Sequence, residues 1–579
     1  MCARQFLRMK SLALSVSFLA VTACGGVRPP ASIATADAPY DLLITNGRVI
    51  DGTGAAWFLG DVAVRGDRIV RVVPAGLLRG AKTTRTIDAT GLAVTPGFID
   101  IQGQSYDNFL TGDGRVISKV TQGITTEILG EGTTPAPLTP TMYGWMFSDS
   151  AGLRLAPRFT GPHGFGNWLD AMGAHGVSPN VGSFLGAETV RMYAKGKAQG
   201  PALPAELDTM RAVTRRAMED GSFGVGSALI YPPGAYASTD ELIEIARAMA
   251  PYGGLYITHM RSEGDRLIEG VAEAIRIGRE GGVPVEIYHL KAAGQRNWSK
   301  AARMVAVIDS ARRAGQDVSA DMYPYTAGMT SLASCTPPWA SADGKLLSNL
   351  ADAAIRARVK SELLAGVRDA ESLCELATPH GVMVTGFRDS TLKKFEGWRL
   401  DDIARAMNED WTDALIDLTL RENARLGGIF FLASDENLRM QLKQPWMKFG
   451  TDAEGWDPDS TRGQMTHPRA YGTYAQLLGQ LSRDEGLMPL EEVVRKATSA
   501  VATRLSIPDR GLLRAGMYAD IVIFDPLTVM DRATYATPHR TAAGIRNVFV
   551  NGVEVVRDGV HTGAKPGRIV RGAGANGRR

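Results

Sequence analysis

Residues 255–289 read LYITHMRSEGDRLIEGVAEAIRIGREGGVPVEIYH, and this segment contains one complete strand–helix–strand pattern. The short apolar runs 255–258 and 285–288 flank residues 266–280, where apolar side chains recur at helical spacing. The same alternation continues through the apolar runs 223–225 and 318–321 and the helical stretches 239–249 and 299–314. Alternating strands and helices indicate a parallel sheet covered by helices, and at this length they favour an α/β fold of the (β/α)₈ TIM-type barrel class.

Two β-rich segments flank this central region. Turn pairs such as Asn46-Gly47 and Gly66-Asp67 separate apolar runs near the start of the chain, and similar runs occupy 519–524 and 545–556. We therefore expect one small β-sandwich built from both chain ends. The predicted boundaries are sandwich at 41–97 and 506–570, barrel at 98–505, an inserted lid at about 337–427 and a disordered tail at 571–579.

The first 40 residues are typical of an export signal. A basic start (Arg4, Arg8, Lys10) precedes a short apolar run at 12–20 and Val21-Thr-Ala-Cys24, which resembles a bacterial lipobox. We expect a lipoprotein signal peptide at 1–23, lipidation of Cys24 and a flexible tether at 24–40. The protein would then be exported and lipid-anchored to a bacterial membrane, on its periplasmic or cell-surface side. The alternative is a plain secretory signal or a short membrane anchor.

The composition sets limits on partners and redox chemistry. A net charge of +3 over 579 residues gives no electrostatic reason to expect nucleic acid as a partner. Of the four cysteines, Cys335 and Cys374 lie outside the export signal. These two form either a disulfide in an oxidising compartment or two buried free thiols.

Polar residues that follow predicted strands are the candidates for chemistry, because a barrel places its active site at the carboxyl ends of its strands. These residues are Gln102, Gln104, Glu131, His259, His289, Asp321 with Tyr323 and Tyr325, and Asp452. Two histidines at successive strand ends favour a zinc-like metal site. Glu131 is either an anionic third ligand or a turn carboxylate between two glycines.

Three further residues suggest how the site would act on a substrate. Asp452 is a candidate acid–base group beside the metal, with Asp435 as a rival for the same role. Arg469, in His467-Pro-Arg469, is a candidate for binding a substrate carboxylate through two parallel hydrogen bonds.

An ordered set of motifs resembles the N-acyl-D-amino-acid deacylase (D-aminoacylase) branch of the amidohydrolase superfamily, over residues 41 to about 559. The motifs are NGRVIDGTG at 46–54, PGFID at 96–100, QGITT at 122–126, THMRSE at 258–263, HLK at 289–291, DMYPY at 321–325, HPR at 467–469 and LLRAGMYADIVIFD at 512–525. The resemblance implies zinc held by His259 and His289, and a catalytic aspartate that maps to Asp452 rather than Asp435. It implies substrate binding by Arg469, Lys291, Tyr325 and Ser331.

The chain departs from this family at two places. Gln102-Gly-Gln104 replaces the usual His-x-His, and Glu131 stands where a cysteine ligand is common. Amide oxygens are poor zinc ligands beside imidazole, so we expect one zinc ion, with Gln102 and Gln104 as hydrogen-bonding neighbours.

The expected activity is cleavage of the amide bond of a small N-acyl-D-amino acid or a similar carboxylate-bearing amide. Two alternatives remain open at this point. One is another amidohydrolase reaction, on D-containing dipeptides or cyclic amides. The other is an inactive, lipid-anchored binding protein on the same scaffold, which the missing His-x-His suggests.

Overall fold

The computed structural model describes residues 39–367, 370–460 and 464–577. The predicted signal peptide, the lipidation site Cys24 and all but the last two residues of the predicted tether lie outside these ranges. Within them, no helix combines the length and the hydropathy that crossing a membrane requires.

The elements alternate along the chain as the sequence pattern predicts. The strands are β1 Tyr40–Val49, β2 Phe58–Arg65, β3 Arg68–Pro74, β4 Thr83–Asp88, β5 Ala93–Pro96, β6 Phe98–Asp100, β7 Ile124–Leu129, β8 Asn180–Ser183, β9 Leu185–Gly186, β10 Gly224–Ala228, β11 Leu255–His259, β12 Val285–Ile287, β13 Val318–Met322, β14 Ala327–Ser331, β15 Val382–Thr385, β16 Gly427–Phe431, β17 Met447–Phe449, β18 Ile521–Phe524, β19 Ile545–Val550, β20 Val553–Arg557 and β21 Val560–His561. The α-helices are α1 Tyr106–Leu110, α2 Ile117–Val120, α3 Tyr143–Met146, α4 Ser150–Leu155, α5 Gly164–His175, α6 Ala187–Lys195, α7 Pro204–Glu219, α8 Thr239–Met249, α9 Leu267–Gly281, α10 Ala301–Arg313, α11 Leu346–Ala351, α12 Ala353–Ala365, α13 Leu373–Ala377, α14 Leu400–Met407, α15 Trp411–Arg421, α16 Asp435–Leu442, α17 Arg469–Gln476, α18 Leu490–Ala497 and α19 Ser499–Arg504.

A closed parallel barrel forms the centre of the described chain. Its hydrogen-bonded order is β6, β7, β8 continued by β9, β10, β11, β12, β13 and β17. The ring closes where Gly103 pairs in parallel with Ala453, and where the Asp452 amide donates to the Gln102 carbonyl at 2.8 Å. The predicted (β/α)₈ class is therefore confirmed.

Burial of one helix face explains why the helices cover the barrel. In α9 the buried side chains include Leu267, Val271, Ala274 and Ile275, which share a face at helical spacing. Each fully buried Leu or Ile contributes about 1.5–3 kcal/mol relative to exposure. The helix predicted at 266–280 thus forms because its apolar stripe packs against the strands.

Both chain ends contribute to one nine-stranded sheet. Its path is β21-β20-β19-β18-β5-β1-β2-β3, with β4 paired to β1. The two ends meet where β18 pairs antiparallel with β5, Val522 lying opposite Thr95. Side chains from both segments, including Ile44, Val62 and Ile521, pack in one apolar cluster.

The inserted lid is wider than the predicted 337–427. Strands β14, β15 and β16 form an antiparallel sheet, so the insertion starts at Ala327 and returns to the barrel after Phe431. The sequence boundary was wrong because β14 and β16, the first and last strands of this sheet along the chain, pair only across the whole insertion, which no local pattern shows. Cys335 and Cys374 form a disulfide within this lid, with Cα atoms 5.1 Å apart.

The predicted disordered tail at 571–579 is wrong for residues 571–577. Arg571 forms an ion pair with Asp170 and donates to the Asp220 carbonyl. The Gly572 amide donates to the Gly221 carbonyl at 2.8 Å, and a 3-10 helix follows. Arg571 therefore attaches this segment to the helices around the barrel.

Candidate active site

The carboxyl ends of the barrel strands open into a cavity of about 530 Å³. Its walls include most of the residues singled out from the sequence: Gln104, Glu131, His259, His289, Lys291, Ser331, Asp452 and Arg469. Gln102 lies behind this wall, and its side chain is buried. Strand ends that are far apart in the chain thus bring these groups together.

Glu131, His259 and His289 form a compact group of potential metal ligands. Glu131 Oε1 lies 3.3 Å from His259 Nδ1 and 3.2 Å from His289 Nε2. One ligand atom from each residue falls within 4.8 Å of the others. Two imidazole nitrogens and one carboxylate oxygen are a donor set that suits zinc with an open position, so the residues present fit a catalytic metal ion.

The same contacts control the charge on Glu131. Burial alone would raise the pKa of this carboxyl, but hydrogen bonds with His259 and His289 outweigh burial and hold its pKa well below the ordinary range. Glu131 is therefore an anion at neutral pH, as a ligand must be.

Gln102 and Gln104 hold the other oxygen of Glu131. Gln102 Nε2 donates to Glu131 Oε2 at 2.6 Å, and Gln104 Nε2 donates to the same oxygen at 2.8 Å. Only the amide nitrogen of a glutamine can donate, so the carboxylate fixes the orientation of both side chains. Glu131 Oε2 is thereby occupied, while Oε1 faces the histidines.

The backbone is strained at two of these positions. His289 has φ +32° and Asp452 has φ +48°, in the left-handed region that non-glycine residues rarely adopt. The His289 amide donates to Asp321 Oδ1 at 3.0 Å, which stabilises the turn after β12. Strain of this kind is typical of functional sites, where the surrounding structure holds side chains in place.

Asp452 lies across the cavity in an ion pair with Arg469. Asp452 Oδ2 is 2.7 Å from Arg469 Nη1, and Arg469 Nη2 donates to the Met329 carbonyl at 3.0 Å. The Arg469 guanidinium also lies over the Tyr323 ring, 4.7 Å from its centroid. Burial raises the pKa of Asp452 above its ordinary value, and the Arg469 charge opposes that rise.

Asp435, the rival aspartate, lies elsewhere. It is the first residue of α16, its side chain is 70% exposed, and it pairs with Arg439. The structure therefore places Asp452, and not Asp435, in the cavity wall.

Tyr325 does not line this cavity. Its hydroxyl donates to Asp531 Oδ2 at 2.7 Å, whereas Tyr323, two residues earlier, lies in the wall beneath Arg469. The structure therefore places Tyr323, and not Tyr325, in the wall of this cavity. Strand β13 ends at Met322, so the strand-end rule alone identifies residue 323. Ser331 lies in the cavity wall, and its hydroxyl accepts from the Ala333 amide at 3.2 Å.

Two buried carboxylates near the site were missed from the sequence. Glu263 accepts two hydrogen bonds from Lys291 Nζ, at 2.7 and 2.9 Å. Burial alone would raise the pKa of Glu263, but the charge of Lys291 and the two histidines hold it below its ordinary value. Glu188 lines the cavity behind Gly132, and burial raises its pKa to about 8. Each follows a barrel strand by a few residues, which is the signal that could have identified it.

The lid forms the apolar part of the cavity wall. The lining side chains from this segment include Met329, Leu373, Leu426 and Phe430. The cavity thus has a polar floor at the strand ends and an apolar roof, as in sites that bind a small organic molecule.

Comparison with known proteins gives consistent matches. Residues 193–556 match the model of the amidohydrolase family. A D-aminoacylase from Alcaligenes xylosoxydans xylosoxydans is 33% identical over 537 residues, which is 92% of this chain and 98% of the relative. A crystal structure of D-aminoacylase superposes with a TM-score of 0.75 at 32% identity, covering 92% of this chain and 100% of that one. An N-acyl-D-glutamate deacylase from Bordetella bronchiseptica, solved with zinc and a phosphonate mimic of the tetrahedral intermediate, gives 0.74 at 29% identity with the same coverage.

Proposed function

Because the chain belongs to the amidohydrolase family, in its D-aminoacylase branch, we propose that it hydrolyses the amide bond of N-acyl-D-amino acids with one divalent metal ion, zinc being the first candidate. The observation that carries the proposal is the meeting, in one cavity, of Glu131, His259 and His289 with the Asp452–Arg469 pair. The first three match a metal site. The pair matches an acid–base group beside an anion-binding group.

Glu131 Oε1, His259 Nδ1 and His289 Nε2 would hold the ion. A bound zinc ion supplies Lewis acidity, which polarises the scissile carbonyl and makes water a stronger acid. Asp452 accepts the proton of the attacking water and later delivers it to the leaving nitrogen. The raised pKa of Asp452 suits the first step, because a stronger base accepts the proton of the attacking water more readily.

Arg469 gives the site its preference for a free carboxylate. Its guanidinium is buried, and one edge already faces Asp452. An arriving substrate carboxylate shares this guanidinium and weakens its hold on Asp452. Substrate binding thus makes Asp452 more basic at the moment when a base is needed. Tyr323 supports the guanidinium from below.

The test combines metal analysis with turnover on one protein sample. We expect about one zinc ion per chain and hydrolysis of N-acetyl-D-amino acids in preference to their L-isomers. The variant His259→Ala/His289→Ala should bind no zinc and show no turnover. Full metal occupancy in this double variant would refute the site. Turnover of D-dipeptides or cyclic amides alone would point to another reaction of the family, and ligand binding without turnover would point to a binding protein.

We further propose that the protein is exported and lipid-anchored through Cys24. The support is the sequence alone: a basic start, a short apolar run and Val21-Thr-Ala-Cys24. Metabolic labelling of the full chain with a fatty acid should label the wild type, and Cys24→Ala should remove the label. Labelling that persists in this variant would contradict the lipobox.

A further inference from the structure

Glu263 lies behind both histidines, on the side away from Glu131. It follows β11 by four residues and is 3% exposed. Its Oε1 is 3.1 Å from His289 Nδ1, and its Oε2 is 3.8 Å from His259 Nε2. One carboxylate therefore faces the outer nitrogen of both imidazole rings, while the inner nitrogens face Glu131 Oε1.

The second neighbour of these rings is Lys291, and it carries the opposite charge. Lys291 Nζ lies 2.8 Å from His289 Nδ1 and donates to both oxygens of Glu263. Lysine ammonium can only donate a hydrogen bond, and an ionised carboxylate can only accept one. Glu263 and Lys291 thus make opposite demands on His289 Nδ1.

A metal ion at His289 Nε2 would decide between these two demands. A metal ion at Nε2 needs a lone pair there, so the ring proton must sit on Nδ1. The carboxylate of Glu263 stabilises an N–H group at Nδ1, whereas the ammonium of Lys291 destabilises one there. For His259 the argument is electrostatic, because Nε2 is buried and has no hydrogen-bond partner among the described residues. The carboxylate at 3.8 Å then stabilises a proton on that nitrogen.

We propose that Glu263 is a positioning residue that orients His259 and His289 and sets the tautomer in which both can bind a metal ion. This inference rests on the proposed metal site. Lys291 then acts as the counter-ion that holds Glu263 in place through two hydrogen bonds, in addition to any contact with substrate.

Glu371 provides a matched control. Glu371, from the lid, is a half-buried carboxylate, and it accepts from the Gly264 amide at 2.7 Å and the Glu263 amide at 3.1 Å. It holds the backbone of the same loop but contacts neither ring in the described structure. Glu371→Gln therefore tests the contribution of the loop backbone to zinc binding. Glu263→Gln tests the contribution of the carboxylate that faces the two imidazole rings.

The experiment measures the zinc dissociation constant of the full chain by competition with a chromophoric chelator. We expect Glu263→Gln to weaken zinc binding about 10–100-fold, the usual effect of losing a carboxylate that orients a histidine ligand. Glu371→Gln should stay within about twofold of the wild type. In the cobalt-substituted protein, the visible absorption of E263Q should shift, and that of E371Q should overlay the wild type.

A second variant tests whether weaker zinc binding in E263Q comes from the missing carboxylate or from the unpaired charge that remains on Lys291. E263Q/K291M removes both buried charges and should bind zinc as weakly as E263Q. Wild-type affinity in E263Q, recovery in the double variant, or an equal loss in E371Q would each overturn the inference. A wild-type chain that binds no zinc would refute the proposed function itself, so the two failures are distinguishable.

Discussion

Replacing Asp452 with asparagine separates its chemical role from its structural one. The side chain keeps its shape but loses the charge that faces Arg469 Nη1 at 2.7 Å and the ability to carry a proton. A positioned acid–base group accelerates a reaction about 10²–10⁴-fold. At 1.36 kcal/mol for each factor of ten, this corresponds to about 3–5 kcal/mol of transition-state stabilisation. Asp452 is not among the ligand atoms grouped around Glu131, so zinc content should not change.

The substitution should also lower the stability of the fold. Arg469 is 4% exposed, and it loses the anion that compensates its buried charge. Removing one partner of a buried pair costs about 3–5 kcal/mol. Steady-state kinetics on an N-acetyl-D-amino acid, with metal content and urea unfolding measured on the same sample, distinguish the two effects.

Asp435→Asn is the matched control for this measurement. Asp435 is an exposed aspartate whose pairing with Arg439 is worth at most about 1 kcal/mol, so kcat should stay within about twofold of the wild type. The reasoning is refuted if Asp452→Asn keeps more than about a tenth of the wild-type kcat at full zinc occupancy, since even the lower bound is about 100-fold. It is also refuted if the loss appears in Asp435→Asn instead.

Three further predictions follow from neighbouring groups. Tyr323→Leu should raise the KM for substrate because it removes the ring that supports Arg469, while Tyr325→Leu should leave KM unchanged; an effect on KM from residue 325 alone would show that Tyr325 and not Tyr323 acts on the substrate. Glu188 is held protonated by burial, so the free energy of unfolding should fall as pH rises from 4.5 through about 8. Glu188→Gln should remove this slope and be more stable than the wild type at pH 9 but not at pH 4, which urea unfolding at both values checks. The disulfide spans 39 positions. On the loop-entropy model it lowers the conformational entropy of the unfolded lid and so stabilises the folded lid by about 4 kcal/mol. Cys335→Ser/Cys374→Ser should therefore speed proteolysis within the lid, and unchanged cleavage would show that the lid core suffices.

The sequence was most informative where one periodic pattern repeats. Strands β10 to β13 and their helices could be predicted because short apolar runs alternate with amphipathic helical stretches, and closure of the barrel then brings the strand ends together. His259 and His289 therefore converge as expected. The family resemblance then favoured Asp452 over Asp435, and the structure explains the difference by placing Asp435 at the exposed start of α16.

Features that depend on tertiary contacts could not be predicted. The local pattern of Asp321-Met-Tyr-Pro-Tyr325 offers two tyrosines, and only the packing around Arg469 and Asp531 decides which one lines the cavity. Arg571 was placed in the predicted disordered tail because its partner Asp170 lies 401 positions earlier in the chain. Glu263 looked like a loop residue, since its contacts with His289 and Lys291 come from another strand end.

The two departures from the family pattern, Gln102-Gly-Gln104 and Glu131, are linked by direct contacts. A carboxylate at position 131 offers two oxygens, and a buried oxygen without a partner costs about 1–3 kcal/mol. The amides of Gln102 and Gln104 satisfy Oε2, so that Oε1 alone faces His259 and His289. Imidazoles at 102 and 104 would instead provide ligand atoms for a second ion. The glutamines that first suggested an inactive relative therefore support the proposed single-ion site, in which Glu131 would be the anionic ligand.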